Sequence, residues 1–493
     1  MKQHLRPIMF VGTGSDVGKS IINAGFCRIF KQDGYSPAPF KAQNMSLNSF
    51  AGSDGLELGR AQAVQAEACR IEPCSEMNPI LLKPTSNQNA QVVLNGKPIG
   101  NQSAKEYFLG TDRDALFADA MKAYRKLELL YNPMVLEGAG SISEINLRDK
   151  DITNMRVALE VNAAVILVAD IDRGGVFGSV YGTLELLPPE ERALVKGILI
   201  NKFRGDIDLF AEGRQMMEQL TGVPVVGVVP YFHDIHIDDE DSVVIDHKSG
   251  KTREGLVNIA VVLLRHMSNF TDFNVLERIP EINLFYTANP EEIEKADVVI
   301  VPGSKNTIAD LETLRRSGLA KAILNSHQNG NAVYGICGGY QMIGCEIHDP
   351  EHVEGTVEFM PGLGILPVVT TLTAEKRTVQ SAFTFKNKHE NCTGYEIHMG
   401  KTELLDGLPL AKLSNGSDDG CFVNEKTWGT YLHGIFDNLP VIQSILKSCG
   451  HETKLQEFNY QEYKNEQYDK LAVHIRNSCD LEYIYLAMGK DNQ

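Results

Sequence analysis

Two series of short apolar runs, separated by a polar stretch, are the feature of this 493-residue sequence that most limits its fold. The runs of the first series are "IMFV" (8–11), "PMVLE" (133–137), "AVILVAD" (164–170), "GILIN" (197–201) and "VVGVV" (225–229). Short runs that are apolar and rich in Val and Ile are typical of strands buried on both faces of a parallel sheet, with helices as the crossovers. The first half of the chain is therefore predicted to be α/β.

The series restarts near residue 256, after a polar stretch. The runs of the second series are "NIAVVLL" (258–264), "ADVVIVPG" (296–303) and "NAVYGICGG" (331–339). The segment "DHKSGKTREG" (246–255) is predicted to be the linker, and after about residue 450 a polar, tyrosine-rich stretch suits one or two closing helices. We therefore expect two doubly wound α/β domains, residues 1–245 and 256–450, and a C-terminal helical extension, residues 451–493.

Composition restricts the partners. The formal net charge of −17 argues against a broad basic surface that binds nucleic acid or an anionic membrane.

The N-terminus meets glycine and charge too early for a signal peptide, and no apolar run approaches the length of a membrane span. The nine cysteines include no CxxC pair, and the closest couple, Cys69 and Cys74, has poor spacing for zinc. We expect a cytoplasmic protein with mostly free thiols.

The stretch "VGTGSDVGKS" (11–20) lies between a predicted strand and the helical pattern "SIINAGFCRIF". Backbone N–H groups and the helix dipole favour a phosphate at such a place. The general pattern has a glycine where this chain has Thr13, and Gly12 stands one position too early. On spacing alone, a phosphate-binding loop and a plain glycine-rich turn both stay open. In the first interpretation Lys19 reaches the outer phosphates of a nucleotide and the Ser20 hydroxyl ligates Mg²⁺.

Other charged residues of the first half extend this hypothesis. Lys41, in "PFKAQNMS", offers a second cation to the phosphates. Asp54 and Glu57 lie in "SDGLELGRAQ", and Glu137 ends a strand at "VLEGAGS", where a carboxylate can hold Mg²⁺ directly or through water. Each acid alone is more often a solvated or capping residue; beside the loop, Glu137 and Asp54 become candidate ligands, and Glu57 less so. The predicted nucleotide-binding residues are Gly12, Thr13, Gly14, Asp16, Gly18, Lys19, Ser20 and Lys41, and the predicted metal ligands are Ser20, Asp54 and Glu137.

A cysteine elbow is predicted in the second half. "VYGICGGYQMIG" places Cys337 in the frame Gly-x-Cys-x-Gly, after an apolar strand and before a helical pattern. Glycines on both sides allow the cramped turn that exposes a nucleophile, and the helix dipole favours a thiolate. A packed core thiol is the alternative, but "GTYLHGIFDN" supplies His433 as a candidate base. The N–H of Gly338, with one from Gly303 or Ser304 in "PGSKNT", is predicted to stabilise an oxyanion.

The chain resembles the cobyric acid synthase family nearly from end to end. The segments that carry the resemblance, in order, are "GTGSDVGKS", "PFKAQNMS", "DGLELGRAQAVQAEA", "NPILLKPTSNQNAQVVLNGKPIG", "LEGAGS", "DIDRGGVFGSVYGT", "INKFRGD", "PGSKNTIADL", "GICGGYQMIG", "GYEIHMG" and "GTYLHGIFDN". The resemblance implies a dethiobiotin-synthetase-like P-loop-type ATP domain, whose loops also have threonine in place of the glycine, followed by a class I glutamine amidotransferase domain. It also implies that ATP and glutamine are used to amidate the b, d, e and g carboxylates of adenosylcobyrinic acid a,c-diamide.

Two segments depart from a simple pattern. Class I amidotransferases commonly carry His-x-Glu, but Ile435 stands two places after His433, which suggests a Cys337–His433 dyad. Glu396, in "GYEIHMG", is a candidate to orient His433. His236 lies in "HDIHIDDEDS", which lacks the glycine of a cobalamin-binding signature, so we interpret it as an ordinary loop residue.

The segment 78–106 is dense in amides, hydroxyls and glycines. By itself it fits a plain solvated hairpin. The resemblance makes it a candidate part of the corrinoid pocket, with Lys83, Thr85 and Asn95 as the predicted substrate-binding residues.

Two alternatives remain. The a,c-diamide synthases share both domain types, although the order of the "KPTS" and "NMS" segments favours cobyric acid synthase. From a different class, partition-type nucleotide switches usually begin the loop with an extra lysine, where this chain has Phe10 and Val11, and they leave the cysteine elbow unexplained. The expected partners are small molecules, namely the corrinoid, L-glutamine and ATP, with neither nucleic acid nor membrane; the oligomeric state stays open.

Overall fold

The computed structural model describes residues 2–85, 89–103, 105–238, 250–451 and 459–490. Residues 246–249 of the predicted linker lie outside these ranges. Within them, no helix is long and apolar enough to cross a membrane. The nine cysteines are free thiols.

The first domain is built on a parallel sheet with the strand order β12-β11-β10-β1-β9-β2. Its strands are β1 (Ile8–Gly12), β2 (Ala38–Phe40), β3 (Gln43–Met45), β4 (Ser49–Ala51), β5 (Glu57–Gly59), β6 (Ile80–Pro84), β7 (Asn89–Leu94), β8 (Lys97–Ser103), β9 (Met134–Glu137), β10 (Ala164–Asp170), β11 (Val195–Phe203) and β12 (Val225–Pro230). All five runs of the first predicted series are strands of the parallel sheet, and their apolar side chains are buried on both faces. The predicted α/β class is confirmed.

Helices cover both faces of this sheet. They are α1 (Lys19–Gln32), α2 (Arg60–Cys69), α3 (Arg113–Glu128), α4 (Met155–Glu160), α5 (Val176–Glu185), α6 (Pro189–Arg192) and α7 (Ala211–Thr221). Local sequence fixes where α3 begins. The Asp112 carboxylate accepts hydrogen bonds from the Asp114 and Ala115 N–H groups and caps this helix. Strands β3, β6, β7 and β8 form a smaller sheet, and β4 and β5 form a separate hairpin.

The second domain has its own parallel sheet, in the order β14-β13-β15-β16-β24-β23, with β23 antiparallel at the edge. Its strands are β13 (Val257–Val262), β14 (Ile282–Thr287), β15 (Val298–Val301), β16 (Ala332–Ile336), β17 (Glu346–His348), β18 (Phe359–Pro361), β19 (Val368–Phe385), β20 (His389–Leu404), β21 (Ala411–Leu413), β22 (Asp418–Asp419), β23 (Cys421–Asn424), β24 (Thr427–Thr430) and β25 (Leu432–His433). Its helices are α8 (Pro290–Lys295), α9 (Thr307–Arg316), α10 (Leu319–Gln328), α11 (Gly338–Met342) and α12 (Leu439–Ser448). The three runs of the second predicted series give β13, β15 and β16.

The long antiparallel hairpin of β19 and β20 was not predicted. Buried and exposed positions alternate at both ends of β19, and its middle is largely exposed. A strand with one solvated face shows no continuous apolar run, and such a run was the signal used for the other strands.

The helices α13 (Tyr460–Ser478) and α14 (Leu481–Ala487) follow the second domain in sequence but pack against the first. Leu471 and Ile475 of α13 lie in the same apolar cluster as Phe26 of α1. Arg28 of α1 is fully buried, and its Nε lies 2.8 Å from the Asp469 carboxylate of α13. The core of the first domain is therefore completed by residues from beyond the second domain.

Candidate functional site

The glycine-rich loop joins the carboxyl end of β1 to the start of α1. Lys19 turns back over the loop, and its Nζ donates hydrogen bonds to the carbonyl oxygens of Gly14 (2.9 Å) and Gly140 (3.0 Å). A Cβ at Gly12 would lie 2.8 Å from this Nζ, so a side chain there would displace the lysine. Gly18 has a φ of 93°, and a Cβ at this position would overlap the amide of Asn201. The loop thus requires glycine at both places and holds the lysine amine above the helix N-terminus.

Glu137 is the centre of a polar cluster beside this loop. It ends β9, is 1% exposed, and its Oε1 accepts hydrogen bonds from Ser20 Oγ (2.8 Å) and Lys41 Nζ (2.8 Å). Gln65 of α2, which the sequence did not single out, donates to Oε2 at 2.5 Å. A hydroxyl and a carboxylate at the end of a strand form an oxygen donor set that fits Mg²⁺. The structure brings Ser20, Lys41 and Glu137 together, as the sequence predicted.

A cavity of about 1350 Å³ opens over this cluster. Asp16, Gly18, Lys19, Ser20, Lys41 and Glu137 line it, whereas Gly12, Thr13, Gly14 and Asp54 are outside its described lining. The wall also includes basic and aromatic side chains, among them Arg113, Arg148, Arg173, Arg204, Tyr231 and Phe232. His236, interpreted from the sequence as an ordinary loop residue, also lies on this wall. The cavity has room for a ligand much larger than the phosphates.

Asp54 is placed away from the predicted metal site. Its carboxylate accepts hydrogen bonds from the N–H (2.9 Å) and the hydroxyl (2.7 Å) of Ser75 and from the Leu56 N–H (3.0 Å). These are the bonds of a turn-capping residue, so Asp54 does not join Ser20 and Glu137 as a ligand. Glu57 is fully buried and forms ion pairs with Lys83 (2.7 Å) and Lys376 of the second domain.

The three predicted substrate-binding residues also lie elsewhere. Lys83 is 4% exposed, and its Nζ donates hydrogen bonds to Glu57 Oε1 and Ser49 Oγ, each at 2.7 Å. The amine is therefore not presented to a ligand. The Thr85 hydroxyl donates to the Asn89 carbonyl, and Asn95 occupies the left-handed turn between β7 and β8. None of the three is among the described residues that line the cavity. The amides and hydroxyls of the segment 78–106 belong to a small sheet with a tight turn.

Cys337 occupies the predicted elbow between β16 and α11. It has a φ of 52°, a strained conformation for a residue with a side chain, and it is buried. A Cβ at Gly339 would overlap the Val301 carbonyl, and a Cβ at Gly338 would lie 2.8 Å from the Ser304 nitrogen. Gly303 is close as well, since a Cβ there would lie 3.7 Å from that of Cys337. The three predicted oxyanion residues therefore lie together beside the Cys337 backbone.

His433, at the end of β25, lies close enough to the Cys337 side chain for the thiol to affect the pKa of the imidazole. Its Nδ1 donates to the Asp272 carboxylate at 2.6 Å, and the other oxygen of Asp272 accepts from the Gly434 N–H at 3.1 Å. Burial disfavours the charged imidazole, but the charge and hydrogen bond of Asp272, with smaller contributions from Cys337, raise the pKa of His433 to about 10. The three side chains form a nucleophile, a base and an acid that holds the base.

The predicted dyad is thus a triad, and the proposed role of Glu396 is wrong. The Glu396 carboxylate pairs with Arg377 Nε (2.6 Å) and His398 Nε2 (3.3 Å). Burial raises the pKa of Glu396, but these two partners outweigh it and lower the pKa to about 2. The acid that contacts His433 comes instead from "NFTDFN" (269–274), far upstream. No motif or spacing connects Asp272 to His433, so a single sequence carried no signal for it.

The fold and the two sites define a class of protein, a P-loop-type nucleotide-binding domain joined to a glutamine amidotransferase domain. Residues 8–243 match the family described as CobQ/CobB/MinD/ParA nucleotide binding domain, and residues 258–441 match the CobB/CobQ-like glutamine amidotransferase domain.

Relatives that cover the whole chain specify the family. A cobyric acid synthase of Parabacteroides distasonis is 59% identical over 98% of this chain and 99% of its own length. Those of Phocaeicola vulgatus and Bacteroides fragilis are 56% and 57% identical, over 99% and 98% of this chain and 99% of their own lengths. The chain belongs to the cobyric acid synthase family.

Proposed function

We propose that this enzyme uses ATP and glutamine to amidate the b, d, e and g carboxylates of adenosylcobyrinic acid a,c-diamide. One observation carries the proposal: a single chain holds two polar sites of different chemistry, a glycine-rich loop with Lys19 beside Glu137 in one domain and a Cys-His-Asp arrangement in the other. A large cavity with arginine and aromatic side chains adjoins the loop, which suits a large substrate with several carboxylates.

The first site would activate the carboxylate. A carboxylate is a poor electrophile near neutral pH, and transfer of the γ-phosphoryl group of ATP to it gives an acyl phosphate and ADP. Lys19 and Lys41 offset the charge on the transferring phosphoryl group. Ser20 and Glu137 would hold Mg²⁺, which supplies further neutralisation of phosphate charge when bound. Ammonia then attacks the acyl carbon and displaces inorganic phosphate.

The second site would supply the ammonia. The Cys337 thiolate attacks the side-chain amide carbon of glutamine, while the N–H groups of Gly338 and Ser304 stabilise the oxyanion. His433 gives its proton to the leaving nitrogen, and ammonia departs from the thioester. His433 then takes a proton from the water that hydrolyses the thioester to glutamate. Asp272 keeps the imidazole oriented through both steps.

The roles of the two sites can be separated with Cys337→Ser. We expect this variant to lose glutamine-driven amidation and to keep ammonium-driven amidation near the native rate, because only the supply of ammonia is removed. The measurement is mass spectrometry of the corrinoid product after incubation with ATP, Mg²⁺ and either nitrogen source. Failure of ammonium to rescue the variant would contradict this division of labour.

The acyl phosphate can be tested with substrate carboxylates labelled with ¹⁸O. One labelled oxygen should appear in inorganic phosphate for each amide formed. Label in AMP would instead indicate an adenylate, and the loop would have been given the wrong chemistry.

A further inference from the structure

The β4–β5 hairpin of the first domain packs against residues of the second domain that contact the triad. Phe50 packs on Tyr395, with their ring centroids 4.8 Å apart, and Tyr395 stacks on the His433 imidazole at 5.3 Å. Ala51 belongs to the same small buried cluster as Tyr395 and Ile397. Ile397 in turn provides the carbonyl that lies 3.6 Å from the Cys337 sulfur. The first domain therefore packs one residue away from both reacting side chains.

The hairpin also holds the turn that carries Asp272. Asp272 lies in a single 3₁₀ turn, Phe270–Phe273, which begins after Asn269. The Ser49 N–H donates to Asn269 Oδ1 (2.9 Å), and the Phe270 N–H donates to Asn48 Oδ1 (3.2 Å). These two reciprocal bonds across the domain boundary are here called the clasp. Asn48 and Asn269 are 1% and 3% exposed, so water does not replace either bond readily.

A second contact fixes the other end of the turn. Asn274 Nδ2 donates to Asp238 Oδ1 at 2.8 Å, and Asp238 Oδ2 lies 2.6 Å from Arg60 Nη2 at the start of α2. Asp238 and Arg60 both belong to the first domain. Asp272 therefore lies between two anchor points, and both are supplied by the domain that does not contain Cys337.

We propose that the first domain positions the acid of the glutaminase triad, with Asn48 as the principal positioning residue. This inference rests on the glutaminase function proposed above. A single 3₁₀ turn has little stability of its own, because it fixes several backbone dihedrals for very few hydrogen bonds. The buried side chains of Phe270 and Phe273 hold one side of the turn in the core of the second domain, and the clasp holds its backbone from the first domain and keeps the Asp272 carboxylate against His433. Asn48 touches neither glutamine nor the reacting atoms and acts through Asp272.

Two variants remove one half of the clasp each. Asn48→Ala removes the acceptor for the Phe270 N–H. Asn269 has a φ of 53°, so Asn269→Gly removes the acceptor for Ser49 while it preserves the left-handed backbone. The matched control is Gln380→Ala, because Gln380 also donates to this hairpin, at the Ala51 carbonyl, but lies on β19 rather than on the Asp272 turn.

The assays are glutamate release from glutamine and ammonium-driven amidation, measured with the full chain. In each clasp variant we expect kcat for glutamine hydrolysis to fall about tenfold while KM for glutamine changes less than about twofold, because proton transfer and not binding is affected. Ammonium-driven amidation should stay native in both variants. Gln380→Ala should retain native kcat in both assays.

The inference is overturned if both clasp variants hydrolyse glutamine at the native kcat, if Gln380→Ala loses as much activity, or if ammonium-driven amidation falls in parallel. Wild type and Cys337→Ser are measured in the same series. If the wild type hydrolyses glutamine and Cys337→Ser does not, the proposed glutaminase function stands, even if the clasp variants behave as wild type. Failure of the positioning role can therefore be told apart from failure of the glutaminase function.

Discussion

Replacement of Asp272 by Asn tests the triad most directly, because it removes one charge and keeps the shape of the side chain. The pKa of about 10 for His433, against an ordinary value of about 6.5, corresponds to roughly 5 kcal/mol of net favourable interaction with the charged imidazole. Cys337 supplies part of this, and about 2–3 kcal/mol is a reasonable share for a buried, charge-assisted hydrogen bond to Asp272. At about 1.4 kcal/mol per factor of ten, kcat for glutamine hydrolysis should fall roughly 30- to 150-fold in Asp272→Asn.

The pH profile gives the sign of the effect. In the native protein the imidazole is protonated below a pKa of about 10, so activity that depends on this form is lost only as the pH rises through that value. Without the carboxylate, burial is the dominant influence and lowers the pKa of His433, so the alkaline limb of kcat/KM should move to lower pH. Glu396→Gln is the comparison, because Glu396 does not contact His433, and it should leave the limb in place. An unmoved limb in Asp272→Asn, with a loss below about threefold, would refute the triad.

Two further changes probe the first domain. Lys19→Ala removes the amine that we propose lies nearest the outer phosphates, so amidation should collapse with glutamine and with ammonium alike while basal glutamine hydrolysis continues. Product analysis with both nitrogen sources measures this, and native amidation would mean that the loop is only a turn. Ile475→Ala empties a fully buried site of α13 against α1, and urea denaturation should show a loss of about 3 kcal/mol in the free energy of unfolding, whereas a loss below about 1 kcal/mol would contradict the packing described.

The parallel sheets could be predicted because strands buried on both faces leave continuous apolar runs, as in residues 164–170 and 258–264. The elbow that carries Cys337 and the glycine-rich loop before α1 could be predicted for a related reason. Each is a local turn that needs glycine at fixed offsets, as at Gly18 and Gly339, and such constraints are written in consecutive residues.

The parts that could not be predicted depend on distant contacts. Asp272 contacts a histidine 161 positions later in the chain, and its turn carries no pattern of its own. Asp54 was a candidate ligand only in combination with the glycine-rich loop, and Lys83 only through the family resemblance of its segment. Their bonds to Ser75 and Glu57 are set by how the hairpin and the small sheet pack, which the order of residues does not reveal.

The packing of α13 on α1 also sets an order of events during synthesis. The ribosome makes the whole second domain before it makes Tyr460–Ser478, at about 5–20 residues per second. Until then, the face of α1 that includes Gly25 and the buried Arg28 has no cover, because Ile475 and Asp469 do not yet exist in the chain. We therefore expect the helix that follows the phosphate loop to become stable only in chains that already carry their amidotransferase domain.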